Sequence, residues 1–256
     1  MEIDKDKEII KVINIVKIFG GLHALDNVSL SINKGDIFGI VGPNGAGKTT
    51  LFNIISGVLK STNGKIIFNN MDVTGFAAYK MAGIGIGRTF QVVRPFSFMS
   101  VLENVMAAYG VRFYYNIAKS FGKWKKNKYI EKVEAILKET ELLEYKNRKA
   151  NTLPLGIQRR LEIARALAVN PQVILLDESF SGLSFSEIDR LKRLVKNINT
   201  EGVTVVVIEH NMPVVMDLCR NVVVLNYGKK LAEGRPQEIV KNPEVIEAYI
   251  GKRRYA

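Results

Sequence analysis

The octapeptide GPNGAGKT, Gly42 to Thr49, constrains the fold of this 256-residue chain more than any other stretch. It follows the apolar run DIFGIV and opens the helix-prone KTTLFNIISGV, so the local order is strand, loop, helix. That order is what gives the pattern G-x-x-x-x-G-K-[ST] its chemistry. Successive backbone N–H groups and a helix N-terminus together form a concave positive site for phosphate oxygens. Gly45 and Gly47 allow the tight path. Lys48 can reach β- and γ-phosphates, and the Thr49 hydroxyl can ligate Mg²⁺. With Gly42, Pro43, Asn44, Ala46 and Thr50, these residues are the candidate nucleotide-binding segment.

Such a loop needs a carboxylate at the end of a neighbouring buried strand, and VILLDE supplies two. Asp177 would hold Mg²⁺ through water, and Glu178 would polarise the attacking water. Phosphoryl transfer is mainly positioning and charge stabilisation, so these groups are the expected minimum. The next strand-like run, VTVVVI, ends near His210. An open α/β sheet presents its ligands at such strand ends.

The rest of the chain fits an α/β fold of the P-loop NTPase type with a RecA-like core. EIIKVINIVKIF, ALDNVSLSI and GKIIFNN read as strands of an N-terminal antiparallel β layer, with a turn at Asn69–Asn70. SVLENVMAAYGVRFYYN and YIEKVEAILKETELLE have helical spacing, and Ser100 with Glu103 starts the first as a capping box. They predict an inserted α-helical subdomain. QVILLDES and GVTVVVIEH suit a parallel sheet covered on both faces. NVVVLNYGKKLAEG reads as a hairpin closing that sheet, and PEVIEAYIGKRR as a helical tail. The expected division is a single domain, 1–256. Its β/α core covers 1–91 and 166–234, its helical subdomain 92–165 and its tail 235–256.

The only cysteine, Cys219, cannot form an internal disulfide. No apolar run approaches the roughly 18 residues of a membrane-spanning helix, and MEIDKDKEII lacks a signal-peptide core. These features predict a cytoplasmic chain. The formal charge of +12 favours anionic partners. The basic run Lys119–Lys128, with Phe121 and Trp124 interleaved, reads either as a solvated face or as a contact for lipid headgroups or nucleic acid.

Phe19, GPNGAGKT, GRTFQ, LPLGIQRRLEIARAL, VILLDE, SGLS and VIEH, in that order, resemble the ATP-binding subunit of ATP-binding cassette (ABC) transporters. GIGRTFQ and the tail LAEGRPQEIVKNPEVIEAYIG are similar to the branched-chain amino acid importer ATPase; urea-import and lipopolysaccharide-export cassettes share part of the pattern. The resemblance implies an ATPase with ATP and Mg²⁺ as cofactors. It implies that Phe19 stacks on adenine and that Gln91 contacts Mg²⁺ and the water and reports on the membrane partner. Glu178 is implied as catalytic base, Ser181–Ser184 as a loop at the dimer seam, and His210 as a γ-phosphate contact. Gly156 would act in trans on the partner subunit's ATP.

The implied partners are a second cassette, two transmembrane permeases and an extracytoplasmic substrate-binding protein, with the chain on the cytoplasmic face of the membrane and no nucleic acid. A permease helix would dock near Gln91 and the apolar stretch Val92–Ser100, which could equally pack within the helical subdomain. The chain ends soon after the core, with no room expected for a regulatory domain.

The signature departs from Leu-Ser-Gly-Gly-Gln: Pro154, Leu155 and Ile157 replace serine, the first glycine and glutamine. Since the motif acts in trans, the partner's ATP loses a contact, which predicts a heterodimer with unequal sites. Ser179 stands where the family has proline, leaving both carboxylates in place. Two other readings, a soluble cassette acting on ribosomes or DNA and a non-hydrolysing regulatory subunit, are disfavoured. The chain has neither a second cassette nor a coiled-coil insertion, and it retains Glu178 and His210.

Overall fold

The computed structural model describes residues 7–89, 91, 93–114 and 126–250. Strands β1 (Glu8–Phe19) and β2 (Leu22–Asn33) pair antiparallel. Then come β3 (Ile37–Val41), the phosphate loop and α1 (Lys48–Ile55). β4 (Asn63–Phe68) and β5 (Met71–Asp72) return to the first layer, giving a four-stranded sheet of order β2-β1-β4-β5. The turn between them uses Asn69 and Asn70, both at positive φ (48° and 63°). Asparagine tolerates that region better than other residues with a side chain, and two-residue hairpins require it.

Helix α2 (Ala78–Gly83) and strand β6 (Ile86–Arg88) lead to the helical layer. This consists of α3 (Val101–Tyr114), α4 (Lys126–Glu139) and α5 (Leu155–Ala168). Alternation of strand and helix resumes with β7 (Val173–Asp177), α6 (Phe185–Thr200), β8 (Thr204–Ile208) and α7 (Met212–Leu218). The hairpin β9 (Asn221–Asn226) and β10 (Lys229–Gly234) follows, then α8 (Pro236–Ile239) and α9 (Pro243–Ile250). The six-stranded sheet runs β10-β9-β3-β8-β7-β6 and is parallel except for β10.

Burial on both faces explains the apolar strands. In β3, Phe38 and Ile40 enter a core shared with the antiparallel layer and α1, while Ile37 and Val41 enter a second core against α6 and α7. β8 divides likewise, Val206 and Ile208 to one side, Val205 and Val207 to the other. A third cluster, including Val105, Val133 and Leu161, holds the helical layer together.

Ser100 and Glu103 form the reciprocal cap of α3, at 3.2 Å (Glu103 N–H to Ser100 Oγ) and 2.7 Å (Ser100 N–H to Glu103 Oε2). One helix is shorter than its pattern suggests. α4 stops at Glu139, where Glu141 adopts φ 55° and the N–H groups of Glu141 and Leu142 return to Lys138 and Leu137. This left-handed closure ends the helix before the apolar spacing does. Residues 115–125, which include most of the basic run, lie outside the described residues, as do Val92 and 251–256.

Candidate active site

The C-terminal ends of β3, β7 and β8 lie side by side, with Asp177 paired to Ile208 and Ile40 to Ile208. The loop after β3 turns on two glycines. A Cβ at Gly42 (φ 147°) would lie 2.2 Å from the Leu225 carbonyl oxygen of β9. One at Gly47 (φ 98°) would lie 2.6 Å from the Ala24 carbonyl oxygen of β2. The loop is therefore pressed between the two sheets and excludes side chains at both points. The Lys48 ammonium donates back to the Gly42 and Pro43 carbonyls at 2.8 and 2.9 Å. Burial lowers its pKa, opposed by the negative charge of Glu178. In that pose the ammonium lies across the mouth of its own loop, on two neutral acceptors that a phosphate oxygen would outcompete.

Beside the loop is a cavity of about 550 Å³ lined by Asn44–Thr50, Gln91, Glu178 and His210. Glu178 sits at φ 48°, unusual for a residue with a side chain, and its N–H donates to the Ile208 carbonyl at 3.0 Å. Its carboxylate accepts from both sides. His210 Nε2 lies 2.7 Å from Oε1, and Gln91 Nε2 donates to Oε2 at 2.9 Å. A carboxylate only accepts, so Nε2 is the donor in this contact.

Asp177 is 1% exposed and sits behind Glu178. Arg88 Nη2 donates to its Oδ2 at 2.9 Å, while its Oδ1 is buried with no hydrogen-bond partner among the described residues. Burial raises its pKa, against the pull of Arg88. An orphaned buried acceptor calls for an ion or its water. Asp177 at one strand end and the Thr49 hydroxyl at the loop are an all-oxygen donor set that suits Mg²⁺. Next in the chain, the Ser179 hydroxyl meets that of Thr89 at 3.1 Å. Glu209 accepts from the Phe180 N–H at 3.1 Å, and burial first, then the charge of Glu178, pushes its carboxyl up to about 7.

Helix α5 grips the segment after Gln91. Arg159 donates to the Gln91 carbonyl at 3.0 Å and Arg165 to the Arg94 carbonyl at 2.8 Å, while the Arg94 N–H donates to Glu162 at 3.2 Å. Burial pushes the Glu162 carboxyl up to about 7. At its start α5 has Pro154 as N-cap with no side-chain cap, and the N–H groups of Ile157 and Gln158 both return to the Pro154 carbonyl. The helix thus begins at Leu155, with Gly156 its second residue. A Cβ at Gly156 would lie 2.3 Å from Glu187 Oε1, whose carboxylate caps α6 through Ser184.

Most of the residues singled out from sequence converge. Asn44 to Thr50, Gln91, Glu178 and His210 share one cavity, with Gly42 and Pro43 at its base as the acceptors for Lys48 and Asp177 behind it. Phe19 and Gly156 are not among the residues lining that cavity. Phe19, at the end of β1, is 47% exposed with the Lys17 ammonium 4.8 Å from its ring centre; its strand partner Leu22 lines the cavity instead. The sequence reading missed Leu22, His23, Ala24 and Tyr227, which line the wall, and Arg88 on Asp177. The one available signal was Arg88 itself, a charge closing the short run IGIGR.

A lysine that reaches into a glycine loop, facing a glutamate braced by glutamine and histidine, is machinery for splitting a nucleoside triphosphate. The protein is a P-loop ATPase of the cassette type. A family model for the ABC transporter matches residues 25–181, and another, for the branched-chain amino acid ATP-binding cassette transporter, matches residues 229–254. The chain belongs to the ABC transporter family.

Among its relatives is the high-affinity branched-chain amino acid transport ATP-binding protein BraF of Pseudomonas aeruginosa. It is 38% identical over 252 residues, covering 96% of this chain and 99% of the relative. The probable branched-chain amino acid transport ATP-binding protein LivG of Methanocaldococcus jannaschii is also 38% identical, over 96% and 98% of the two chains. An ATP-binding cassette of an ABC transporter crystallised in its ADP conformation superposes with a TM-score of 0.86 at 37% identity, covering 96% of this chain and all of the other. A dimeric cassette in a post-hydrolysis state with ADP and Pi superposes with a TM-score of 0.76 at 31% identity, covering 89% and 98%. No helix among the described residues is long and apolar enough to cross a membrane.

Proposed function

We propose that this chain is the ATP-hydrolysing subunit of an importer for branched-chain amino acids, held at the cytoplasmic face of the membrane. The chemistry rests on one observation, the Glu178 carboxylate held between Gln91 and His210 over the cavity that Lys48 closes. The substrate class is supported by the match of residues 229–254 and by the 38% identity with the named transport proteins.

In this reading the N–H groups of Gly45 to Thr50 and the Lys48 ammonium bind the phosphates, and Phe19 packs on the adenine. Asp177 and Thr49 would hold Mg²⁺, which would supply neutralisation of the phosphate charge. Glu178 takes the proton of the attacking water. His210 keeps the carboxylate oriented, and Gln91 links it to the helical layer. Ser181–Ser184 and the N-terminus of α5, with Gly156, form the seam that meets a second cassette's nucleotide.

A groove of about 340 Å³ between the core and the helical layer, lined by Ala78, Ala82, Phe96, Ala108, Arg165 and Val169, is the dock for a permease helix. Pro154 offers neither hydroxyl nor N–H, so the second cassette's site is the weaker and the natural pair is a heterodimer. The test is ATP turnover by this chain alone, then with its candidate partner cassette, then reconstituted with permeases and an extracytoplasmic binding protein in vesicles. ATP-dependent accumulation of labelled leucine is the expected result. Full cooperative turnover by the chain alone would refute the heterodimer, and vesicles that hydrolyse ATP without moving leucine would refute the substrate.

A further inference from the structure

The side chain that holds Asp177 is not part of the phosphate loop, the acidic strand end or the histidine strand end. Arg88 closes β6, the edge strand beside β7, and its guanidinium is fixed from three directions. Nη2 donates to Asp177 Oδ2 at 2.9 Å, Nη1 donates to Ser56 Oγ at 2.6 Å, and the guanidinium carbon lies 5.4 Å from the centre of the Phe52 ring. Phe52 is in α1 and Ser56 is its C-cap residue, in the helix that begins at Lys48. The side chain is about nine-tenths buried and that of Asp177 almost wholly so. Arg88 also lines the groove between the core and the helical layer.

These contacts divide the two oxygens of Asp177. Oδ2 is committed to a cation that cannot move without breaking its bond to Ser56 and leaving the Phe52 ring. Oδ1 is buried and has no partner among the described residues. A carboxylate held by one oxygen presents the other at a set angle. That is how an outer hydrogen-bond partner orients a metal ligand and why its loss is felt at the metal. Arginine suits the task because its planar fork spans two acceptors at once, whereas a lysine ammonium makes a point contact.

We infer that Arg88 is a positioning residue for the Mg²⁺ carboxylate: anchored on α1 through Ser56, it holds Asp177 by Oδ2 so that Oδ1 is reserved for the hydrated metal. The inference rests on the assignment of Mg²⁺ to Asp177 and Thr49. It predicts that metal affinity and nucleotide affinity separate when Arg88 is changed, because Arg88 is absent from the phosphate cavity.

The test uses the full chain with Mn²⁺ as probe. Electron paramagnetic resonance reads Mn²⁺ bound in the presence of ATP, and a fluorescent ATP analogue in EDTA reads metal-free nucleotide affinity. Arg88→Met is expected to weaken Mn²⁺ about 10- to 100-fold, with metal-free nucleotide affinity unchanged. Arg88→Lys should recover part of the loss, and Ser56→Ala should lie between wild type and Arg88→Met. Wild-type Mn²⁺ affinity in Arg88→Met would overturn the inference. So would parallel loss of Mn²⁺ and metal-free nucleotide, the mark of a merely structural role. If Arg88→Met does not fold, Arg88→Lys decides: weakened Mn²⁺ with unchanged nucleotide supports the inference, and unchanged Mn²⁺ overturns it. Wild-type chain that binds ATP but no Mn²⁺ would instead remove the Mg²⁺ assignment itself.

Discussion

The imidazole Nε2 of His210 lies 2.7 Å from Oε1 of Glu178, and the two residues come from the ends of adjacent parallel strands. The second carboxylate oxygen is held by Gln91 at 2.9 Å. In the proposed mechanism, water activation and carboxylate orientation are therefore divided between groups that can be removed one at a time.

Glu178→Gln keeps the shape but not the base, and its amide NH₂ can no longer accept from one of the two donors that grip the carboxylate. Turnover is expected to fall by at least about 100-fold, the usual contribution of a positioned general base, while ATP still binds. Single-turnover hydrolysis and size-exclusion chromatography with ATP check this, a persistent ATP-bound dimer being the expected species. Turnover equal to wild type would take Glu178 out of the chemistry.

His210→Ala leaves Glu178 with Gln91 alone. Because misplacement of a reacting group is costly, kcat should drop about 10-fold or more while KM for ATP stays near wild type. The kcat and KM of the variant provide the readout, and a change confined to KM would contradict the orienting role.

Glu209 is a proton-linked element of stability. Its carboxyl, ordinarily near 4.5, is pushed up to about 7 by burial. Between those values the folded state holds a proton that the unfolded state has released, so stability falls as pH rises through this window. The loss is complete above about pH 7 and is of order 3 kcal/mol at about 1.4 kcal/mol per pKa unit. Glu209→Gln keeps an acceptor for the Phe180 N–H and should flatten the decline. Urea unfolding at about pH 5 and about pH 8 measures it. Part of the slope will remain, because Glu162 is raised over the same range.

Gly156→Ala puts a methyl group 2.3 Å from Glu187 Oε1. The carboxylate must shift, which strains the reciprocal cap that its other oxygen makes with Ser184 at the start of α6. A cap is worth about 1 kcal/mol, so a lower melting temperature is expected, together with slower turnover at the partner cassette's site. Unchanged stability would show that Glu187 has another seat.

The parts legible in the sequence were those whose chemistry is local. Gly42 to Thr49 carry their own geometry, and the apolar strands carry theirs in residues that must be covered on two sides. The capping pair Ser100 and Glu103 was readable for the same reason. What escaped depended on pairing across the sheet. Arg88 meets Asp177 only because β6 lies against β7, and nothing within either segment announces the other. Ser179 was read only as a departure from the family's proline, yet its hydroxyl faces that of Thr89, 90 residues away. Tyr227 reaches the cavity because Gly228 donates to the Ala46 carbonyl, a contact between a hairpin turn and a loop far apart in the chain.

Gln91 is held at both ends, by Glu178 through its side-chain amide and by Arg159 of α5 through its carbonyl. Gln91 is thereby the contact that the helical layer and the Glu178 carboxylate share. Whatever factor a displaced layer imposes on nucleotide affinity, bound nucleotide must impose on the layer in return, since coupling of binding free energies is reciprocal. Gln91 offers the route for such an exchange; if nucleotide binding is coupled through it, the affinity of an isolated chain for ATP already carries information about which way its helices lean.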